Sequence, residues 1–299
     1  MTSSDDVLVS RYRENYGLPA EAPLTAEQVR EHLRLETELT ARLLSSTSED
    51  RWMTFRDCYD KLYGALPWLA DTGGSPDAER WAELLGPSPQ KIYEVGSGDG
   101  GLARALASFG YQVEATDISN HRGGTRRESE RLKWSVTDGV HLERFATDVP
   151  YDAVISDQLI EHLHPDDLAT HLGGCHSILR PGGKFVLRTP HAFAGPHDVS
   201  RVFGYVEPIG MHLREYTNRA LKDQLLSAGF RDICSVLWLP RQMGGAPNGA
   251  AASRLHLIYL TLAEQLLGVW PPRARRALAM RLPGPLQPRI FLVAHRPSS

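Results

Sequence analysis

The stretch Glu94-Val95-Gly96-Ser97-Gly98-Asp99-Gly100 decides the fold class. It ends a short apolar run at residues 91–95, which predicts a buried strand, and precedes an apolar-periodic run at residues 101–109, which predicts a helix. Glycine at alternate positions lets the backbone turn sharply and lie against a ligand, because glycine has no Cβ and tolerates positive φ. The free N–H groups of the following helix can bind a carboxylate. The sequence therefore predicts a ligand site at the carboxyl end of this strand.

Strands and helices alternate beyond this loop. Strands are predicted at residues 112–117, 134–137, 151–156 and 184–189, and helices at residues 125–132, 165–179 and 217–228. This alternation predicts an α/β fold, doubly wound around a mostly parallel sheet that helices cover on both faces. Two further strands, at residues 231–239 and 289–294, bring the expected number to seven.

The flanking segments have a different pattern. Residues 1–88 are predicted to form a helical extension, in which Thr25 and Gln28 make a capping box for a helix through residue 44. The catalytic core is then expected at residues 89–240 plus 289–299. Residues 241–288, with helices near 252–267 and 272–281, are predicted to be an inserted acceptor cap or an oligomer interface, for example of a homodimer. Arginines of this insertion could meet a phosphate or carboxylate on the acceptor: Arg273, Arg275, Arg276 and Arg281.

Composition excludes several classes of protein. The net charge of −3 gives no overall attraction to nucleic acid, so no nucleic-acid partner is expected. The three cysteines form no CxxC pair, and the N-terminus lacks the basic and apolar blocks of a signal peptide. The most apolar stretch, residues 255–270, carries His256 and Glu264 and falls short of a membrane span. We therefore expect a soluble, cytoplasmic protein.

Acidic residues near the loop indicate the charge of the ligand. The pattern G-x-G-x-x-G would also suit a dinucleotide, but Glu94 and Asp99 would repel its pyrophosphate and attract a cation. Asp117, which ends the second strand, can accept hydrogen bonds from ribose hydroxyls. Asp138, after the third strand, can accept a hydrogen bond from an adenine amino group.

The order of these residues along the chain resembles that in class I S-adenosylmethionine-dependent methyltransferases of the Rossmann-like type. Three later segments continue the resemblance: Tyr151-Asp152-Ala153-Val154, Leu179-Arg180-Pro181-Gly182-Gly183 and Ser227-Ala228-Gly229-Phe230. The resemblance runs from about residue 91 to 239. It implies S-adenosyl-L-methionine as the cofactor. The cofactor-binding residues that we expect are Glu94, Gly96, Ser97, Gly98, Asp117, Ile118, Thr137, Asp138, Gly139 and Asp157.

The fourth strand is followed by Gln158-Leu159-Ile160-Glu161-His162, and His212 precedes a later helix. This pattern partly resembles the magnesium site of ubiquinone-pathway O-methyltransferases and small-RNA 2′-O-methyltransferases. Gln158 stands where the first acid would be, and losing a carboxylate weakens a Mg²⁺ site. The candidate catalytic residues are therefore Glu161, His162 and His212. They could bind a metal ion, although Mg²⁺ is disfavoured, or one of the two histidines could act as a base without a metal. Packing beside the cofactor is the third interpretation.

The leading hypothesis is O-methylation of a small apolar or aromatic metabolite in a specialised biosynthetic pathway. Aromatic residues of the N-terminal helices, among them Phe55, Tyr59 and Tyr63, could form a lid over such an acceptor, although aromatic residues at this spacing are also typical of a core. The alternatives are an RNA 2′-O-methyltransferase, an NAD(P)-dependent oxidoreductase and a non-catalytic partner subunit.

Overall fold

The structure is a computed structural model that describes residues 4–69, 77–119, 128–238, 250–281 and 289–298. The helices in these ranges are α1 (Ser4–Tyr16), α2 (Ala26–Leu44), α3 (Arg51–Ala65), α4 (Ala78–Leu85), α5 (Gly101–Ser108), α6 (Leu168–Ile178), α7 (Asn218–Ser227), α8 (Arg254–Gly268) and α9 (Pro272–Arg281). The strands are β1 (Lys91–Val95), β2 (Gln112–Asp117), β3 (Leu132–Val136), β4 (Tyr151–Asp157), β5 (Leu179–Pro190), β6 (Arg231–Trp238), β7 (Ala250–Ser253) and β8 (Arg289–His295).

The strands form one sheet in the order β3-β2-β1-β4-β5-β8-β6-β7. Strands β1 to β5 are parallel, whereas β8 runs antiparallel between β5 and β6, and β7 pairs antiparallel with β6. The strand order reverses between β1 and β4, and ligands of open parallel sheets bind at such a point, beyond the carboxyl ends of the strands. The glycine loop follows β1 at this edge.

The α/β class is confirmed, but the predicted strand count is wrong. The described residues contain eight strands in a mixed sheet, because Ala250–Ser253 adds β7 to the exposed edge of β6. An Ala-Ala-Ala-Ser run has no alternating apolar pattern, so only its pairing with β6 reveals it as a strand. The predicted helix at 125–132 is also wrong over its described part, because residues 128–131 form a turn and Leu132 begins β3, where it pairs with Val113. Residues 125–127 lie outside the described ranges.

Helices cover both faces of the sheet. On one face, Tyr93 and Phe185 pack with residues of α6 and α7, and on the other, Ile92 packs with residues of α4 and α5. Alternate residues of a strand point to opposite faces, so β1 contributes to both cores. The fully buried Trp81 of α4 lies with its ring centroid 4.8 Å from that of Phe291 in β8.

The N-terminal helices pack on one another at the carboxyl edge. The predicted capping box is confirmed at the start of α2, where Thr25 and Gln28 each bind the other's backbone N–H. Helix α2 is fastened to the loop before α7 by Thr40, whose hydroxyl donates to the carbonyl of Gly210 at 2.6 Å. This contact joins residues 170 positions apart, and it holds the N-terminal helices beside the loop that carries His212.

The insertion contributes a structural contact to the core. Glu264 of α8 is buried and accepts hydrogen bonds from the backbone N–H groups of Asn218 and Arg219, which begin α7. A carboxylate at a helix N-terminus is stabilising. The opposite side of α8 is exposed, and this exposed side includes the apolar residues Leu255, Ile258, Tyr259, Leu262 and Leu266. Among the described residues, no helix is both long and apolar enough to cross a bilayer.

Candidate functional site

The glycine loop between β1 and α5 is held open by backbone hydrogen bonds. The Ser97 N–H donates to the carbonyl of Thr116 in β2 at 2.8 Å, and Gly96, Gly98 and Gly100 all have positive φ. A Cβ on Gly100 would lie 1.9 Å from the Trp134 ring. The loop therefore requires glycine for its backbone conformation and, at Gly100, also for space.

Glu94 lies beneath this loop and has no basic partner among the described residues. Its side chain is 2% exposed, and Oε2 makes no hydrogen bond. Burial raises the pKa of Glu94 well above its usual value, and the negative charges of Asp157, Asp99 and Asp117 raise it further. A buried, unpartnered carboxylate among other acids suits a cationic group such as an ammonium.

Asp117 holds the loop from the end of β2. Its Oδ2 accepts the Gly98 N–H at 2.8 Å, and its Oδ1 accepts the Ser119 N–H at 3.1 Å. Each carboxylate oxygen has a second lone pair, so both can still accept a hydroxyl group. Asp117 can therefore position the loop and contact a ribose together.

A small cavity of about 70 Å³ lies in front of these strand ends, and we call it the cofactor cavity. It is lined by Phe55, Tyr59, Tyr63, Gly96, Asp117, Ile118, Thr137, Asp138, Gly139, Gln158, Leu159, His162 and Leu163. Six of the predicted cofactor residues thus share one cavity, and α3 covers it with aromatic rings. Asp138 also caps its own turn, accepting the N–H groups of Val140 and His141 at 2.8 Å each.

The other four predicted cofactor residues, Glu94, Ser97, Gly98 and Asp157, do not line this cavity. Asp157 forms a bidentate ion pair with Arg188, with distances of 2.7 and 2.5 Å, and Arg188 also binds Asp77 at 3.0 Å. The Asp157 carboxylate is therefore engaged by a guanidinium rather than directed at a ligand.

Glu161, His162 and His212 come together at the same edge. One ligand-type atom from each lies within 4.8 Å of the others. Glu161 and His162 belong to the 3₁₀ turn after β4, and His212 comes from the loop before α7. The structure thus brings the three predicted catalytic residues into one cluster, although the two histidines are 50 positions apart in the chain.

We call Glu161, His162 and His212 the catalytic cluster after their predicted role, and their surroundings orient each of them. The Nδ1 of His162 lies 2.8 Å from the Met211 carbonyl oxygen, and the Nδ1 of His212 lies 2.8 Å from Glu215 Oε1. Thr189 donates to Glu161 Oε2 at 2.9 Å, while Oε1 has no partner among the described residues. Nδ1 atoms held in this way are typical of histidines whose Nε2 binds a metal or a proton.

Burial and neighbouring charges shift the protonation equilibria of the cluster. Burial raises the pKa of Glu161 to about 7, although the nearby His212 lowers it. Burial disfavours charge on His212 as well, but hydrogen bonding to Glu215 and the charge of Glu161 outweigh it and raise the pKa of His212 to about 9. The surroundings therefore favour the protonated form of His212 and make Glu161 a stronger proton acceptor than an exposed carboxylate.

A larger cavity, of about 610 Å³, lies between the cluster and the N-terminal helices, and we call it the aromatic cavity. Its wall includes Tyr16, Glu36, Tyr59, Leu62, Tyr63, Trp68, His162, His197, Asp198, Met211 and His212. Tyr59, Tyr63 and His162 also line the cofactor cavity. The two cavities therefore meet at His162, which belongs to the cluster.

Sequence reasoning missed the role of Glu36 in this region. Glu36 is buried in α2, where its carboxylate binds His32 Nε2 at 2.8 Å and the N–H of Met211 at 3.2 Å. The spacing of His32 and Glu36 on one helix face was the available signal. His191 also lies in this region, but its Nε2 lies 2.8 Å from Glu264 Oε1, so it supports the residue that holds the start of α7.

Comparisons with known proteins agree with this geometry. A family model described as a methyltransferase domain matches residues 76–235. A ubiquinone biosynthesis O-methyltransferase of Xanthomonas axonopodis pv. citri (strain 306) is 30% identical over 200 residues, covering 60% of this chain and 77% of that protein. Its counterpart in Xanthomonas campestris pv. campestris (strain B100) is 35% identical over 115 residues, covering 35% of this chain and 46% of that protein.

A solved structure extends the likeness to the fold. Phosphoethanolamine N-methyltransferase 2 of Haemonchus contortus, in complex with S-adenosyl-L-methionine, has a TM-score of 0.52 and 20% identity to this chain. The match covers 81% of this chain but spans only 60% of that protein. At this identity the likeness concerns the fold alone.

Proposed function

We propose, since the chain belongs to the family of S-adenosylmethionine-dependent methyltransferases, that it methylates an oxygen atom of a small molecule. Family membership and the acidic strand ends together disfavour the nicotinamide alternative. S-adenosylmethionine, when bound, supplies a methyl group that its sulfonium has already activated. The remaining task of the protein is to bind, align and deprotonate an acceptor.

The residues at the carboxyl ends of the strands, inside and outside the cofactor cavity, suit the chemical groups of S-adenosylmethionine. Glu94 offers a buried oxygen without a partner, which suits the ammonium of the methionine moiety. Asp117 and Asp138 lie where they can hold the ribose and the adenine edge, as the family resemblance implies. Phe55, Tyr59 and Tyr63 cover the cavity from α3, and we assign them the role of a lid that excludes water.

The catalytic cluster is the observation that carries the choice of oxygen. A phenol or alcohol must lose a proton to become a good nucleophile, so groups that accept protons are needed beside the acceptor. Glu161 presents an unpartnered Oε1, and His162 lies at the junction of the two cavities. We assign proton acceptance to this pair, and electrostatic stabilisation of the acceptor oxyanion to the charged His212.

The same cluster fits a divalent cation as a second candidate. Glu161, His162 and His212 would hold the ion, which would lower the pKa of an acceptor hydroxyl. Gln158 at the position of the first acid leaves one carboxylate and two imidazoles, a set that favours a transition metal over Mg²⁺.

Methyl transfer tests the proposal directly. Release of S-adenosylhomocysteine is measured with hydroxylated aromatic acceptors, with their amine counterparts and with a short single-stranded RNA. We expect turnover with a hydroxylated acceptor and a loss of about 100-fold or more in Glu161→Gln, with unchanged affinity for S-adenosylhomocysteine. Glu143→Gln, an exposed acid outside the cluster, is the control.

Two results would count against O-methylation of a small molecule, and a third would exclude the metal candidate. Turnover of amines but not of hydroxylated compounds would exclude O-methylation, and turnover of RNA alone would favour the RNA alternative. Full activity after dialysis against a chelator would exclude the metal candidate while leaving the metal-free base in place.

A further inference from the structure

A third cavity, of about 540 Å³, adjoins the catalytic cluster on the side of the insertion. Four arginines from four separate segments line it, and we call it the arginine cavity. They are Arg11 of α1, Arg201 of the 3₁₀ turn after β5, Arg276 of α9 and Arg289 at the start of β8. Glu14 is the one acidic residue in the described lining.

These guanidinium groups have no ion-pair partners among the described residues, and none donates a side-chain hydrogen bond there. Elsewhere the chain pairs its partly buried arginines closely, as Arg51 with Asp167 and Arg188 with Asp157, both at 2.5 Å. Acidic residues exceed basic ones by three in this chain, 36 against 33. Arg201 and Arg276, which are partly buried, therefore differ from Arg51 and Arg188 in having no ion-pair partner among the described residues, whereas Arg11 and Arg289 are exposed.

Two of these arginines, Arg201 and Arg276, also repel each other. Burial lowers the pKa of Arg276 below its usual value, and the positive charge of Arg201 lowers it further. Partly buried like charges cost free energy, which a bound anion would offset. Guanidinium groups match the planar geometry of carboxylate and the oxygens of phosphate through paired N–H donors.

The position of the arginine cavity connects it to the reaction. Gln158 lines both the arginine cavity and the cofactor cavity, and His212 lines both the arginine cavity and the aromatic cavity. Arg289 pairs in the sheet with Pro190, the last residue of β5, so it lies at the carboxyl edge, where the glycine loop and the cluster are. An anion bound here would be next to the catalytic cluster.

We propose that the arginine cavity binds a carboxylate or phosphate group of the methyl acceptor, so that the acceptor is an anionic small molecule. This inference rests on the proposed methyltransferase function and narrows its substrate class. The aromatic cavity would take the uncharged part of the acceptor, with the reacting hydroxyl at the cluster between the two cavities.

Calorimetry on the complex with S-adenosylhomocysteine tests the inference. The probes are inorganic phosphate, benzoate and the neutral analogue benzyl alcohol. We expect phosphate or benzoate to bind, with benzyl alcohol at least about tenfold weaker. The anion that binds more tightly identifies the group as phosphate or carboxylate.

Variants localise the binding. Arg276→Gln should weaken anion binding about tenfold, and Arg201→Gln should have a similar effect. The control, Arg273→Gln, changes an exposed arginine of the same helix that does not line the cavity, and it should leave anion binding unchanged. Thermal unfolding midpoints confirm that each variant is folded.

The outcomes distinguish failure of the anionic-acceptor inference from failure of the proposed methyltransferase function. The anionic acceptor is excluded if S-adenosylhomocysteine binds to every variant but no anion binds. It is also excluded if Arg276→Gln and Arg201→Gln bind anions as tightly as the wild type. Neither result affects the methyltransferase proposal. If S-adenosylhomocysteine itself fails to bind to the wild type, the proposed function fails first.

Discussion

The carboxylate of Asp117 accepts the backbone N–H of Gly98 at 2.8 Å, so the end of β2 fixes the loop that follows β1. This contact links the end of β2 to a loop residue that lies 19 positions earlier in the chain. It places a negative charge at the cofactor cavity and orders the glycine loop at the same time.

Substitution of Asp117 should therefore harm binding in two ways. In Asp117→Ala, both the Gly98 N–H and a ribose would lose an acceptor, and we expect affinity for S-adenosylhomocysteine to fall by about tenfold or more. Titration calorimetry measures this. Asp148→Ala is the matched control, because Asp148 is exposed and precedes β4 at the opposite edge of the sheet; equal losses in both variants would contradict the role of Asp117.

Gly100 should tolerate no side chain. In Gly100→Ala the new Cβ would overlap the Trp134 ring, and φ is +75° at this position, so we expect a loss of about 1–3 kcal/mol in the free energy of unfolding. Urea denaturation measures it. Gly64→Ala, in a helix with no atom within 4 Å of the new Cβ, should stabilise the protein slightly, by about 0.5–1 kcal/mol. The prediction fails if the two substitutions have the same effect.

Glu36 should couple the N-terminal helices to the site. Glu36→Ala would leave His32 and the Met211 N–H buried without their acceptor, and we expect a loss of about 2–4 kcal/mol in the free energy of unfolding. We also expect slower methyl transfer, because Met211 adjoins His212. Glu38→Ala, at an exposed position on the same helix, should have little effect on either quantity. Unchanged stability in Glu36→Ala would show that the network does not hold the helices.

The strand ends were predictable because their signals are local. Glu94, Asp117 and Asp138 each follow a short apolar run, and the carboxyl ends of parallel strands meet at one edge. The pairing of His162 with His212 was expected from a family resemblance, since no local pattern joins residues 50 positions apart. The edge strand β7 was missed because its alanines carry no strand periodicity.

The arginine cavity was beyond sequence reasoning for a physical reason. Arg11, Arg201, Arg276 and Arg289 belong to four segments whose convergence depends on how α1 and α9 pack against the core. Of these, Arg276 alone stood in a basic run that drew attention, and such a run is usually a solvated face. Nor could the pattern show that Asp157 is engaged by Arg188, since that pairing requires β4 and β5 to be neighbours in register.

Protonation of His171 should make stability fall in mild acid. Its Nδ1 lies 2.7 Å from the carbonyl oxygen of Gly139, a residue of the cofactor cavity, and burial lowers the pKa of His171 to about 4. In the unfolded chain the pKa is about 6.5, so between these values the unfolded state binds more protons and stability decreases as pH falls. The contribution of His171 to this loss should reach about 3 kcal/mol at pH 4, taken as the difference between the wild type and His171→Gln in urea denaturation from pH 7.5 downward. In His171→Gln this part of the decline in stability should be absent. Burial also lowers the pKa of His197 to about 4, so the part of the decline that is due to His197 should remain in this variant. It should disappear when His197→Gln is added. An identical pH dependence in His171→Gln and the wild type would mean that His171 is not held neutral in the folded protein.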